Sequence, residues 1–177
     1  QMLRPMTMST ALVECVPNFS EGRDAEVIKA ILDSVSGISG CHLLSAEPDA
    51  DYNRTVVTMV GEPEAIGKAA FRLISAAKEH IDMRNHSGEH PRLGAVDVCP
   101  FIPLRGITME ECANLAISLG QRVSHELGLP VYHYGAAASD EARLMLSTLR
   151  KGEYEGLQAR LTEDGGHSSS ETAHGDE

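Results

Sequence analysis

The fold is decided by residues 41–78, CHLLSAEPDADYNRTVVTMVGEPEAIGKAAFRLISAAK. Residues 41–46 have the composition of a strand, residues 48–51 form a polar connection, and a second strand is predicted over 54–60. Apolar residues then recur at helical spacing over 62–78. Because the connection between the two strands is short, they are expected to form an antiparallel pair, with a helix leading out of it.

Further strands and helices are predicted on both sides of this pair. Strands are expected over 12–17, 95–103 and 131–134, and helices over 24–36, 108–127 and 140–149. The resulting order, β-α-β-β-α-β-α-β-α, predicts an α/β chain of the α+β type with a ferredoxin-like split βαβ fold, that is, a mixed β-sheet with helices on one face. A three-layer doubly wound sheet is the alternative.

Composition excludes several classes of partner. Hydrophobic residues make up 42% of the 177 residues, which is enough for a packed core. The formal net charge of -11 disfavours binding to phosphate backbones and to anionic lipid surfaces. Aromatic residues make up only 4%, and Trp is absent, so the chain has few platforms on which bases could stack. We therefore expect no nucleic-acid or membrane partner.

The chain ends and the cysteines suggest a cytoplasmic protein. Residues 1–11 lack the continuous apolar segment of a secretory signal, and no run approaches the roughly 18–20 apolar residues of a membrane span. The four cysteines contain no C-x-x-C pair and are expected to be reduced. Residues 1–11 are expected to form a flexible leader and residues 162–177 a disordered polar tail, with one folded domain over 12–161.

The loop His86-Ser87-Gly88-Glu89-His90-Pro91-Arg92 is the strongest candidate for a site. Pro91 biases His90 towards an extended backbone, and Gly88 permits a tight turn before it. The ordinary pKa of a histidine, about 6.5, suits proton transfer at neutral pH, and Glu89 or Asp97 could orient the ring. Arg92 could hold a ligand carboxylate bidentately.

Two other interpretations of this loop remain open at this point. It could be an ordinary surface loop, since one histidine is a weak argument for general-base catalysis. It could also bind a metal through His86 and His90, which are four residues apart. That spacing brings two ligands onto one face only in a helix, and Gly88 and Pro91 disfavour a helix, so we expect no metal.

Asn18 is a second candidate, because it begins the polar stretch Asn18-Phe19-Ser20-Glu21-Gly22 between a strand and a helix. Short polar residues in that position often present amides and side chains to an anionic or heterocyclic ligand. Capping of the following helix by Ser20 or Asp24 explains the same residues equally well.

Asn53, Arg54 and Gln121 complete the set of candidates. Asn53 and Arg54 stand at the start of a predicted strand, where Arg54 could pair with a ligand carboxylate or with an internal acid such as Asp51. Gln121 lies on the predicted helix 108–127 and could donate to a heterocycle, or it could simply face solvent.

Five stretches carry a family resemblance: LVECVPNFSEGRD (12–24), DYNRTVVTMVGEPEA (51–65), GEHPRLGAVDVCPFIPLRG (88–106), GQRVSHELGLPVYHYGAAA (120–138) and RKGEYEGL (150–157). Together they resemble the N-terminal subdomain of the formiminotransferase family, which includes glutamate formimidoyltransferases and formimidoyltransferase-cyclodeaminases. The resemblance covers residues 12–161. Its most specific part is G-E-H-P-R followed by D-V-C-P-F-I-P.

The resemblance implies transfer of a formimino group between N-formimino-L-glutamate and tetrahydrofolate, in histidine degradation and one-carbon metabolism. Tetrahydrofolate would be the co-substrate, no metal would be needed, and folate would lie between two ferredoxin-like subdomains. His90 would be the catalytic general acid–base, acting on the folate N5 and on the leaving amine. The substrate- and folate-binding positions implied are Asn18, Asn53, Arg54, Glu89, Arg92 and Gln121.

Two departures from the family pattern modify this expectation. Ser87 stands where the enzymes of the family carry a basic residue, which predicts weaker carboxylate binding. The second subdomain of the family is not found in the 177 residues, so we expect activity to need that subdomain or a homo-oligomer. A non-catalytic folate-binding or interaction module that retains the fold is the alternative.

Overall fold

A computed structural model describes residues 10–139 and 144–163. The strands in these ranges are β1 Leu12–Cys15, β2 Asn18–Phe19, β3 Cys41–Asp49, β4 Arg54–Gly61, β5 Val96–Val98 and β6 Phe101–Arg105. The helices are α1 Ala25–Asp33, α2 Pro63–His80, α3 Met109–Leu127, α4 Leu146–Leu149 and α5 Leu157–Glu163. The predicted leader and tail lie almost entirely outside the described residues.

The sheet has the order β5-β2-β4-β1-β6, and β3 pairs along the other edge of β4. Because β1 and β3 are both antiparallel to β4, they run parallel to each other with β4 inserted between them. The α+β class with the split βαβ arrangement is therefore confirmed. Each described pair of neighbouring strands is antiparallel. The expected mixed sheet therefore differs in one respect: the parallel strands β1 and β3 are not hydrogen-bonded to each other, because β4 lies between them.

The core lies between the sheet and a layer of helices in which α2 contacts both α1 and α3. Alternate residues of the central strands point into it, and Val13, Val57 and Met59 are fully buried. From α2, Ile66 and Leu73 are also fully buried. Burial of each such side chain contributes about 1.5–3 kcal/mol, so α2 and the two central strands hold the domain together.

Local sequence signals account for the ends of the helices. Asp24 caps α1 by accepting hydrogen bonds from the amides of Glu26 and Val27. The capping box of Thr108 and Glu111 opens α3, and Gly128 ends that helix in the left-handed conformation with φ 64°.

The last third of the chain differs from the prediction. The strand expected over 95–103 is interrupted at Cys99-Pro100, where proline lacks an amide donor, and becomes β5 and β6. Residues 131–134 form no strand and instead pack on α3. A Cβ at Gly120 would lie only 2.5 Å from a carbon of the His133 ring, so the absence of a side chain at Gly120 permits this contact.

The helix expected over 140–149 is only partly testable, because residues 140–143 lie outside the described residues. The described part of this segment contains one helical turn, α4. In the described part of the chain, no helix combines the length and the apolar character needed to cross a membrane.

Replacement of a buried leucine should destabilise the fold much more than replacement of an exposed one. Leu73 on α2 has no exposed surface, whereas Leu104 on β6 is 51% exposed. Leu73→Ala should lower the free energy of unfolding by about 2–5 kcal/mol, because it leaves a cavity. Leu104→Ala should lower it by less than about 0.5 kcal/mol. Urea denaturation of both variants measures the difference, and equal losses would contradict this placement of the core.

Candidate active site

The tip of the β3–β4 hairpin, residues 49–54, is held between two glycines. A Cβ at Gly22 would lie 2.1 Å from the carbonyl oxygen of Asp49, and a Cβ at Gly88 would lie 2.3 Å from the carbonyl oxygen of Tyr52. No side chain fits at either distance. The turn before α1 and the loop that carries His90 therefore pack directly on the backbone of the hairpin tip.

Asn53 connects these two segments through its side-chain amide. Its backbone has a left-handed φ of 48°, which asparagine tolerates better than most residues. The buried Oδ1 atom accepts a hydrogen bond of 3.0 Å from the Gly22 amide, and Nδ2 donates one of 2.9 Å to the Ser87 carbonyl. Both ends of the Asn53 amide are thus occupied within the chain. Its role in this structure is to position the His90 loop.

His90 and Arg54 are joined by a hydrogen bond of 2.6 Å between Nε2 of the ring and Nη1 of the guanidinium. Because arginine only donates, Nε2 must be the acceptor. The ring proton is then on Nδ1, which donates to the Pro91 carbonyl at 2.7 Å. Burial, followed by the positive charge of Arg54, lowers the pKa of His90 from its ordinary value. His90 is therefore held as the neutral ring in one tautomer.

Tyr52 completes this group at the hairpin tip. Its ring centroid lies 5.6 Å from that of His90, and the planes are inclined at 55°. The Cζ atom of Arg54 lies 5.6 Å from the Tyr52 ring centroid, within reach of a cation–π contact. The three side chains are contiguous and partly exposed, so a ligand can approach them.

Arg92 is buried and is already occupied by the chain's own acids. Its guanidinium donates to both carboxylate oxygens of Glu155, at 2.9 and 2.7 Å, and also to Glu153. Its Nε donates to Nδ1 of His86 at 3.1 Å. A ligand carboxylate would have to displace these partners. Arg92 instead ties residues 153–155 to the His90 loop.

His86 links Arg92 to the hairpin tip through hydrogen bonds of its ring. Because Nδ1 of His86 accepts from Arg92, its proton is on Nε2, which donates to the Asn53 carbonyl at 3.0 Å. The ring therefore bridges Arg92 and Asn53. Among the described residues, no group of three or more potential metal-ligating side chains lies close enough to hold an ion.

The two acids that were candidates for orienting His90 make other contacts. Asp97 accepts from the Leu93 amide at 2.9 Å and forms a buried ion pair with Arg150. The described hydrogen bond of Glu89 is made by its amide, which donates to the Asp51 carbonyl at 3.2 Å. The ring is instead oriented by Arg54 and by the Pro91 carbonyl.

Asn18 and Gln121 stand apart from this group. Asn18 is buried on β2, where Nδ2 donates to the Val16 carbonyl at 3.2 Å. It pairs in register with Val56, two residues beyond Arg54 on the same face of the sheet. Gln121 is exposed on α3, and within the described ranges no hydrogen bond connects it to the His90 loop. The structure thus brings Asn53, Arg54, Glu89 and Arg92 together around His90, without Gln121.

Sequence reasoning missed several members of the site. The only sequence signal for Tyr52 is its place next to Asn53, and the spacing of His86 from His90 suggests only a metal ligand. Glu153 and Glu155 lie 61 and 63 residues from Arg92 in the chain. Nothing in the local pattern KGEYEG indicates that these acids reach an arginine so distant in sequence.

A separate cavity of about 540 Å³ lies between α2, α3 and residues 129–137, and its lining contains neither His90 nor Arg54. It is mainly apolar, and the Tyr134 hydroxyl borders it. Burial raises the pKa of Tyr134 to about 12, so that hydroxyl stays protonated at neutral pH. The nearby thiol of Cys15, 3.7 Å from that of Cys99, also has its pKa raised by burial. Neither of these two groups is ionised at neutral pH.

Comparisons with known proteins show which family this chain resembles. The family described as formiminotransferase domain, N-terminal subdomain, matches residues 12–175. Formimidoyltransferase-cyclodeaminases of Sus scrofa and Dictyostelium discoideum are 54% and 49% identical to the chain over 150 and 153 residues. The glutamate formimidoyltransferase of Streptococcus pyogenes serotype M1 is 44% identical over 153 residues.

These alignments cover 85–86% of this chain but much less of the relatives. The chain spans 28% of each formimidoyltransferase-cyclodeaminase and 51% of the glutamate formimidoyltransferase. The matched region includes the β3–β4 hairpin and the His90 loop.

Removal of the Arg92 guanidinium should loosen the His90 loop. Arg92→Met deletes hydrogen bonds to two carboxylates and to His86, so the free energy of unfolding should fall by about 2–3 kcal/mol. Lys29→Met is the matched control, because Lys29 forms an exposed ion pair with Asp33 on α1. That variant should be destabilised far less, because solvent screens an exposed ion pair. If urea denaturation showed equal losses, the structural role of Arg92 would be disproved.

Proposed function

The chain belongs to the formiminotransferase family as an N-terminal subdomain, and from this membership we propose that it carries the catalytic histidine of a folate-dependent transferase. The reaction proposed is transfer of a formimino group between N-formimino-L-glutamate and tetrahydrofolate, as part of histidine degradation. The observation that carries the proposal is the state of His90: a neutral ring with one tautomer, at the edge of a sheet face that the helices leave open.

The proposed chemistry needs one proton carrier. When N5 of tetrahydrofolate attacks the amidine carbon, a C–N bond forms and N5 must lose its proton. When the tetrahedral intermediate collapses, the bond from carbon to the glutamate nitrogen breaks and that nitrogen must gain a proton. A neutral imidazole can take the first proton and return it in the second step. Because Nδ1 is fixed on the Pro91 carbonyl, Nε2 is the atom assigned to both transfers.

The other candidate residues divide into two groups. We assign ligand contacts to Arg54 and Asn18, which lie on the open face of the sheet, and to the exposed side chain of Glu89. Asn53 and Arg92 act on the ligand indirectly, because their side chains hold the loop. A folate contact from Gln121 stays a prediction without support from its position on α3.

Completion of the site is part of the proposal. The sheet face opposite the helices leaves Ile102 and Leu104 of β6 37% and 51% exposed. We propose that a second subdomain, or a second copy of this chain, covers this face and closes the folate site, since the relatives are longer than this chain. The four free cysteines fit a reducing compartment, and we place the reaction in the cytoplasm.

A chimeric enzyme tests the proposal. Residues 12–161 would replace the matching part of the Streptococcus pyogenes glutamate formimidoyltransferase, and transfer from N-formimino-L-glutamate to tetrahydrofolate would be assayed. We expect the chimera to be active and His90→Asn to lower kcat by about 10²–10⁴-fold with little change in KM. His125→Asn, the same change at an exposed site on α3, should leave kcat unaltered.

Two results would count against this function. Retention of most activity by His90→Asn would remove the assigned role of His90. A folded chimera that binds tetrahydrofolate but transfers nothing, even with His90 present, would favour the alternative of a non-catalytic folate-binding or interaction module.

A further inference from the structure

Three arginines lie in or beside the His90 loop, and two of them are paired with acids of the chain. Arg92 is paired with Glu153 and Glu155. Arg150 is paired with Asp97. Arg54 differs, because in the described part of the chain its guanidinium forms no ion pair and donates its hydrogen bond to the neutral His90 ring.

The surroundings of Arg54 leave its charge poorly compensated. Its Nε is buried and has no hydrogen-bond partner among the described residues. Asp49 lies opposite Arg54 in the hairpin, but its Oδ1 accepts from the amides of Asp51 and Tyr52, each at 2.9 Å, and none of the described ion pairs joins it to Arg54. A partly desolvated guanidinium without a counter-ion is costly, and a bound carboxylate would relieve that cost.

We propose that Arg54 is the receptor for a carboxylate of the substrate and that binding of this carboxylate frees Nε2 of His90 for proton transfer. The choice of a carboxylate rests on the proposed function, since glutamate is the group that leaves. A carboxylate accepts two hydrogen bonds from the guanidinium fork and carries a full charge, so it outcompetes a neutral imidazole for Nη1. The atom assigned to proton transfer is then uncovered only when substrate is present.

The same exchange changes the basicity of His90. The charged groups that act on the ring are Arg54 and Arg150, which lower its pKa, and Asp97, which raises it. Arg150 and Asp97 form an ion pair and largely offset each other. Arg54 is the uncompensated charge, so its neutralisation by a carboxylate should raise the pKa of His90. Base strength is thereby coupled to occupation of the site.

Titration of His90 by NMR tests this coupling in the 177-residue chain. The imidazole signals would be assigned with His90→Asn, and the pKa measured at constant ionic strength alone, with glutarate and with glutaramide. Glutaramide has the same length as glutarate but carries no charge. We expect a pKa below about 6.5 in the free protein. Glutarate should raise it by about one unit, and glutaramide should not change it.

Variants of Arg54 make the test specific. In Arg54→Met the pKa of His90 should be raised in the free protein and should not respond to glutarate. Arg54→Lys, which keeps the charge without the planar fork, should retain the low starting pKa and respond less. Arg23→Met is the control, because Arg23 binds the Ala50 carbonyl through Nε, and it should respond as the unchanged protein does.

The proposal is overturned if glutarate leaves the pKa of His90 unchanged up to its solubility limit, or if Arg54→Met responds as the unchanged protein does. Because the readout needs no transfer, its failure can be told apart from a failure of the proposed function. If glutarate raises the pKa of His90 but the chimera is inactive, the carboxylate receptor stands and the transferase function is disproved. If the chimera is active but glutarate leaves that pKa unchanged, the transferase function stands and the carboxylate receptor is disproved.

Discussion

The close packing of the β3–β4 hairpin tip between Gly22 and Gly88 is the constraint on which the site depends. With contacts of 2.1 and 2.3 Å from the positions where Cβ atoms would lie, neither glycine can be replaced without moving backbone. The Asn53 amide then locks both neighbouring segments to the tip. Three segments that are distant in sequence thus become one rigid unit, and the unit includes the loop that carries His90.

The electrostatics of the site depend on this unit, because it fixes which charged groups lie near His90. Three arginines lie in or beside the His90 loop, and each has a different partner: two glutamates for Arg92, a buried aspartate for Arg150, and a histidine ring for Arg54. The first two arrangements are self-contained and stabilise the loop. The third leaves a positive charge beside a neutral base, an arrangement suited to an anionic ligand and to chemistry that moves a proton.

Much of the fold could be predicted because its signals are local. The helical stripe of α2, the capping box at Thr108 and the left-handed Gly128 depend on neighbouring residues only. Residues 131–134 could not be placed, because strand-like composition forms a strand only where a partner edge is free, and here the segment packs on Gly120. For the site, the His90 loop was visible in the motif GEHPR. The partners of Arg92 and Arg54 depend on long-range contacts, which no local pattern encodes.

Amide hydrogen exchange in Asn53→Ala compared with the unchanged protein tests the central claim most directly. The Gly22 amide bonds to the Asn53 side chain, and the Glu89 amide bonds to the Asp51 carbonyl at the hairpin tip. If Asn53 couples the segments, its loss should accelerate exchange at both amides, while amides within α2 keep their protection. Unchanged exchange at Gly22 and Glu89 would show that the His90 loop is positioned by something other than the hairpin tip.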